Sequence, residues 1–256
     1  MTGFSDADLR RDAFLGGRLA LWQPVKGYRS GIDPVLLAAS VPAKPGQSVL
    51  DLGCGAGAAG LCVFARVGKI SLCGLEVQAT FAALAARNGT EAGADFTVLE
   101  GDVRDPPAAL KSLSFDFVIA NPPYYDRGRG SLAPDAARET ALGEAAPLKD
   151  WTRIAFKRLK PKGYFHLVIK ADRLSDALSA LDQRFGSVEV MPVAPRAGRA
   201  AELVLVRARK DGRAALRLLA PLVLHEGATH PGDKDHYTPL VSGILRRGAA
   251  LPWPAH

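Results

Sequence analysis

Apolar runs of strand length alternate with helix-length amphipathic segments along most of this chain. That alternation restricts it to βα units stacked into a mostly parallel sheet with helices on both faces. Candidate strands cover residues 47–52, 70–76, 96–100, 115–120, 164–170, 188–193 and 202–209, with helices near 56–67, 78–92, 148–159 and 173–185. A short helix over 33–41 precedes the first strand, with Asp33 as its N-cap and Pro34 at its first position. Lys160-Pro161-Lys162-Gly163 ends a helix and turns the chain into the next strand. Two stretches break the alternation. Residues 124–146 form a long, polar, Gly-containing insertion directly after a strand, a length that is usually functional or unstructured. Beyond 209, residues 217–224 suit an added strand, and the remainder reads as a loose tail ending in a short helix near 239–246.

At 256 residues the chain can bury one substantial core. The first residues, MTGFSDADLRRDAF, carry acids and lack the apolar stretch of a signal peptide, and no apolar run is long enough to cross a bilayer; a cytoplasmic protein without a membrane partner is expected. Cys54, Cys62 and Cys73 are odd in number and show no C-x-x-C pair, which argues for buried thiols rather than disulfides or zinc. His225, His230 and His236 fall in a Gly/Pro-rich stretch without helical register, so no metal is expected. The net charge of +7 suits a polyanionic partner, although a solvated basic surface has the same charge without one.

Val49-Leu50-Asp51-Leu52-Gly53-Cys54-Gly55-Ala56-Gly57 is a strand running into glycines that open a helix, a turn that lets backbone approach a nucleotide closely. Gly53, Gly55 and Ala58 also satisfy the G-x-G-x-x-G/A spacing of dinucleotide sites. Asp51, immediately before the loop, shifts the balance: a carboxylate there repels a pyrophosphate and attracts the ammonium group of a sulfonium cofactor. Glu76, at the end of the second strand, is placed to accept both ribose hydroxyls. Asp102, followed by Val103 after the third strand, is placed for the adenine amino group of a cofactor. Together these residues resemble the class I S-adenosylmethionine-dependent methyltransferases over roughly residues 30–210. The resemblance implies a Rossmann-like seven-stranded sheet with an antiparallel seventh strand, and Asp51, Gly53, Gly55, Gly57, Glu76, Asp102 and Val103 as cofactor-binding residues.

Asn121-Pro122-Pro123-Tyr124 follows the fourth strand and is the most specific element in the chain. Paired prolines remove two backbone donors and stiffen the turn, leaving carbonyls to accept. An amino group needs two acceptors for its hydrogens, which the Asn121 side-chain oxygen and the Pro122 carbonyl supply. Tyr124 offers a flat face for stacking. Asn121 is thus both a catalytic candidate and a neighbour of the cofactor. The motif resembles that of amino-methylating families acting on adenine N6, guanine N2, cytosine N4 or a glutamine amide.

A narrower resemblance lies in Gly16-Gly17-Arg18-Leu19, Gln23-Pro24 and Lys26 through Ala38, taken with Asn121 through Tyr125. These are similar to the bacterial tRNA(Val) adenine-N6 methyltransferases. Membership implies S-adenosylmethionine as cofactor, RNA (a tRNA near its anticodon) as partner, and a cofactor-enclosing role for Arg29 and Asp33; cap and surface charge is the plainer reading of that pair. Tyr125, Arg127, Arg129, Arg138, Arg196 and Arg199 are expected to contact RNA, with solvated loop arginines as the alternative. The chain reads as a single methyltransferase domain over 1–256: an N-terminal extension and cofactor-enclosing helix (1–46), a catalytic core (47–210) and a C-terminal extension (211–256). The rivals are a protein-glutamine N5 methyltransferase, a DNA adenine or rRNA guanine methyltransferase, a nucleotide-binding module without catalysis, and an NAD oxidoreductase, which leaves Asp51 and the proline turn unexplained.

Overall fold

The structure is a computed structural model that describes residues 3–123, 146–227 and 236–253. The chain opens with an antiparallel hairpin, β1 (Leu9–Phe14) and β2 (Leu19–Pro24), followed by helix α1 (Asp33–Ser40). Strands and helices then alternate: β3 (Ser48–Leu52), α2 (Ala58–Val67), β4 (Ser71–Glu76), α3 (Ala79–Glu91), β5 (Asp95–Glu100), α4 (Ala108–Lys111) and β6 (Phe115–Ala120). After residue 146 come α5 (Leu148–Arg158), β7 (Leu159–Lys170), α6 (Leu174–Leu181), β8 (Phe185–Ala194) and β9 (Leu203–Lys210). Two-residue strands β10 (Arg217–Leu218) and β11 (Leu222–Val223) and helix α7 (Pro239–Arg247) complete the described elements.

The central sheet runs β10–β8–β9–β7–β6–β3–β4–β5, with β11 also on β8. Every neighbouring pair is parallel except those made by β9, which is antiparallel to β7 and β8. The expected seven strands are therefore present, with β10 and β11 added on the outer edge. The central strand β3 shows why its apolar run does not alternate with polar residues: Val49, Leu50 and Leu52 are all fully buried because helices cover both faces. Val49 joins the core under α1 and α2, while Leu50 and Leu52 join the core under α4, α5 and α6. Such positions tolerate little loss of volume, and a Leu→Ala change costs about 2–5 kcal/mol.

Four expectations need correction. Lys160–Gly163 is not a turn before a strand: β7 begins at Leu159 and its pairing with β6 slips between Phe115 and Phe117, with Lys162 at a φ of 64°. Asp33 is not the N-cap of α1. Ile32 holds that position, and Asp33 is the first helical residue, where its charge suits the helix N-terminus. The β1–β2 hairpin was not foreseen, because Arg10-Arg11-Asp12 places three charges in a row and hides any period of two. The C-terminal stretch is not loose. Residues 236–253 pack on α1: the Leu251 N–H donates to the Ala39 carbonyl (2.8 Å) and the Trp253 indole N–H to that of Ser40 (2.7 Å). Hairpin and final helix also meet. Gly16 lies so close to the Arg246 carbonyl oxygen that any Cβ there would collide with it, and the Arg18 guanidinium donates to the Arg247 carbonyl. No helix among the described residues is long and apolar enough to cross a membrane.

Candidate active site

The chain leaves β3 through a turn of left-handed glycines, Gly53 (φ 62°), Gly55 (φ 54°) and Gly57 (φ 86°), a region costly for other residues. The turn is tied to the end of β4: the Gly53 and Cys54 N–H groups donate to the Leu75 carbonyl (2.7 and 3.1 Å), and the Gly55 N–H donates to Glu76 Oε2 (2.9 Å). Each glycine has its own reason. A Cβ on Gly53 would lie 2.6 Å from the Trp151 ring, and one on Gly57 would press on Phe96 at 3.0 Å. At Gly55 a Cβ would meet no atom within 4 Å, yet this residue borders a cavity of about 410 Å³. A side chain at Gly55 would therefore take space that a ligand can use.

That cavity opens at the carboxyl ends of β3 to β6, where ligands of open α/β sheets bind. Asp51, Gly53, Gly55, Glu76, Asp102, Val103, Asn121, Pro122 and Pro123 all line it. Gly57 does not; it forms the N-cap of α2. Asp51 is 2% exposed, and its Oδ2 accepts the Gly60 N–H at 3.0 Å. Burial, reinforced by repulsion from Glu76, pushes its carboxyl up to about 7. Burial also raises Glu76, against the pull of N–H groups from Gln78 (2.9 Å), Gly55 and Val77. Two desolvated carboxylates side by side favour a cationic ligand, since each is costly to ionise without one. The donor set thus fits a cofactor with an ammonium group and vicinal hydroxyls. Burial raises the Cys54 thiol too, which leaves it a neutral wall of the cavity.

Asp102 is engaged differently. Its Oδ1 accepts the Arg104 backbone N–H (2.8 Å) and its two oxygens share the guanidinium Nε (3.0 and 2.9 Å), so Arg104 holds its carboxyl below the usual carboxylate range. Arg29 does not line the cavity. Its guanidinium pairs with Asp12 at 2.8 Å, and Asp12 also accepts from Gln23 (2.8 Å), whose side-chain oxygen takes the Ser30 N–H (2.7 Å). This network pins the segment carrying Tyr28 and Ser30, which do reach the cavity. Asp33 is likewise absent from the lining, although Pro34 is present. Arg196 and Arg199 lie on the β8–β9 connection, at the same edge of the sheet but off the cavity, and Arg196 donates to the Gly227 carbonyl (3.1 Å). Tyr124, Tyr125, Arg127, Arg129 and Arg138 lie outside the described residues.

Sequence reasoning missed three contributors. Trp151 underlies Gly53 and donates its indole N–H to the Ala146 carbonyl (3.1 Å). The helix over 148–159 was expected, but nothing in its pattern set Trp151 apart. Asn88, fully buried on α3, holds the glycine turn from behind: Nδ2 donates to the Ala56 carbonyl (2.9 Å) and the Trp22 carbonyl (3.0 Å), and Oδ1 accepts the Trp22 N–H (2.8 Å). Arg104, two residues beyond the expected Asp102, was the third.

A sheet of this order, with an acid-lined cavity suited to a cationic nucleotide at its carboxyl edge, places the protein among the S-adenosylmethionine-dependent methyltransferases. The chain belongs to the methyltransferase small domain family, whose match covers residues 32–196. Its relatives include a Bacteroides fragilis protein named tRNA1(Val) (adenine(37)-N6)-methyltransferase, 31% identical over 159 residues, 60% of this chain. This chain spans 65% of that relative's length. A Dickeya chrysanthemi protein of the same name is 28% identical over 197 residues, covering 74% of this chain and 76% of its own. Among solved structures, the Agrobacterium tumefaciens protein Atu636, described as a predicted O-methyltransferase, superposes with a TM-score of 0.70 at 30% identity, covering 86% of this chain and 98% of that one.

Proposed function

We propose that this chain methylates the exocyclic N6 of adenine in RNA, with a tRNA adenine near the anticodon as target, and that it acts in the cytoplasm as one methyltransferase unit around the core of residues 47–210. The observation that carries this reading is that the Asn121-Pro122-Pro123 turn opens on the same cavity as Asp51 and Glu76, on a strand adjacent to the one bearing the glycine turn. S-adenosylmethionine, when bound, supplies an electrophilic methyl group. In this reading Asp51 holds the ammonium end, Gly53 and Gly55 give the donor room, Glu76 takes the ribose hydroxyls, and Asp102 and Val103 border the base. The Asn121 side-chain oxygen and the Pro122 carbonyl accept the two hydrogens of the target amine, which aims the nitrogen lone pair at the methyl carbon. The proton leaves after transfer, so catalysis rests on alignment, which supplies as much as about 7–11 kcal/mol in well-oriented systems. The names of the Bacteroides and Dickeya relatives agree with an adenine in tRNA as that amine.

The Agrobacterium protein raises a second reading, transfer to oxygen. A hydroxyl acceptor needs a base for its proton. The described acids of the cavity are already engaged: Glu76 by backbone N–H groups, Asp102 by Arg104, Asp51 by Gly60. An amine, which needs acceptors rather than a base, suits the site better. Incubation with labelled S-adenosylmethionine and RNA from cells lacking the protein is expected to label a small tRNA subset as N6-methyladenosine, read by mass spectrometry. Label on a release-factor protein, or on a hydroxyl, would overturn the substrate assignment.

A further inference from the structure

Among the described residues, it is Arg104 that bonds the Asp102 carboxylate. Besides the bonds given above, Arg104 Nη2 reaches Oδ2 at 2.6 Å. Arg104 borders the same cavity as Asp102, and its side chain is 45% exposed against 27% for the acid. A second guanidinium stands beside it. Arg153, on the first turns of α5, donates to the Arg104 carbonyl (3.1 Å) and pairs with Asp150 (2.9 Å).

A carboxylate offers about four lone-pair positions, and here the backbone and fork of Arg104 occupy most of them. A cofactor amino group that uses Asp102 must therefore compete with this fork. A half-exposed ion pair between near neighbours yields readily. Once displaced, a guanidinium at the mouth of the cavity has one strongly preferred partner on a polynucleotide, a phosphate, whose geometry it matches with two parallel hydrogen bonds.

We propose that Asp102 and Arg104 form an exchange pair coupling the two ligands: the cofactor takes the carboxylate, and the released guanidinium turns to a phosphate of the polynucleotide. The proposal rests on the RNA reading above and adds to it a coupling between the two ligands. Coupling of this kind is reciprocal, so bound RNA also tightens the cofactor.

Two measurements on the full chain test it. By calorimetry, Arg104→Gln is expected to bind S-adenosylhomocysteine roughly threefold more tightly than the wild type, since the guanidinium fork then no longer competes for Asp102. Equal or weaker binding would overturn the exchange. With a fluorescein-labelled, unmodified tRNA transcript, saturating S-adenosylhomocysteine is expected to tighten wild-type binding roughly fivefold, and to leave Arg104→Gln unchanged. Asp102→Asn, which frees the guanidinium in advance, is expected to bind the transcript without cofactor as tightly as the loaded wild type does. Such a gain cannot come from a damaged fold. If the transcript binds but neither cofactor nor Asp102→Asn tightens it, the exchange fails. If no variant binds the transcript, the substrate reading fails, and the Arg104→Gln calorimetry still decides the competition for Asp102.

Discussion

Asn121 and Asp51 border one cavity but are expected to fail in different ways. Asn121→Ala removes an acceptor from the amine and is expected to lower kcat by at least about a hundredfold, with cofactor affinity held within roughly threefold. A parallel loss of cofactor binding by calorimetry would make the residue structural. Asp51 carries the pH dependence. Its carboxyl, raised by burial to about 7, holds a proton over much of the acidic range in the ligand-free protein, and a cationic ligand prefers the ionised form. Cofactor affinity is therefore expected to rise roughly fivefold between pH 6 and 7.5, to fall again above about pH 8 as the ammonium group itself loses its proton, and to lose the rise in Asp51→Asn. The ligand-free fold behaves oppositely. A raised carboxyl contributes stability that is present below about pH 4 and is lost as pH rises through 7. The acids and glycines could be read directly from the sequence because each lies at, or a few residues beyond, the carboxyl end of a strand. Arg104 could not, because its importance depends on which way a guanidinium turns.

Elements divide along the same line. Strands β3 to β9 were legible because each is an apolar run bounded by turn residues, although β7, with its bulged start at Leu159, and β8, which begins at Phe185, run several residues longer than expected. The β1–β2 hairpin was not legible, since its role is set by what it touches rather than by its own pattern. It meets α3 through Asn88, whose amide is bonded on both sides. Asn88→Ala would leave the Trp22 N–H and the Ala56 carbonyl without their partner. Chemical denaturation is expected to show a loss of about 1–3 kcal/mol. Cofactor affinity is expected to fall with it, because Ala56 belongs to the glycine turn. A stability loss with unchanged affinity would show that the turn holds its shape without the hairpin.

Across the whole molecule, the C-terminal stretch acts as part of the core. Trp253 lies between the Ser40 carbonyl and the Arg207 guanidinium, which stacks over its ring at 4.5 Å. Trp253→Ala is expected to cost roughly 1–3 kcal/mol in unfolding free energy. An unchanged denaturation midpoint would mean that the segment only rests on α1. The seam at Gly16 is tested in the same way: Gly16→Ala combines an unfavourable positive φ with a collision against backbone, so a lower Tm is expected where an exposed Gly→Ala change usually raises it. This seam joins residues more than two hundred positions apart, and its consequence is temporal. During synthesis the hairpin must wait, its docking face uncovered, until the ribosome has released the helix that receives it. A nascent chain that has emerged only as far as about residue 225 would carry the whole central sheet and a hairpin held by α3 but not yet seated on its final helix.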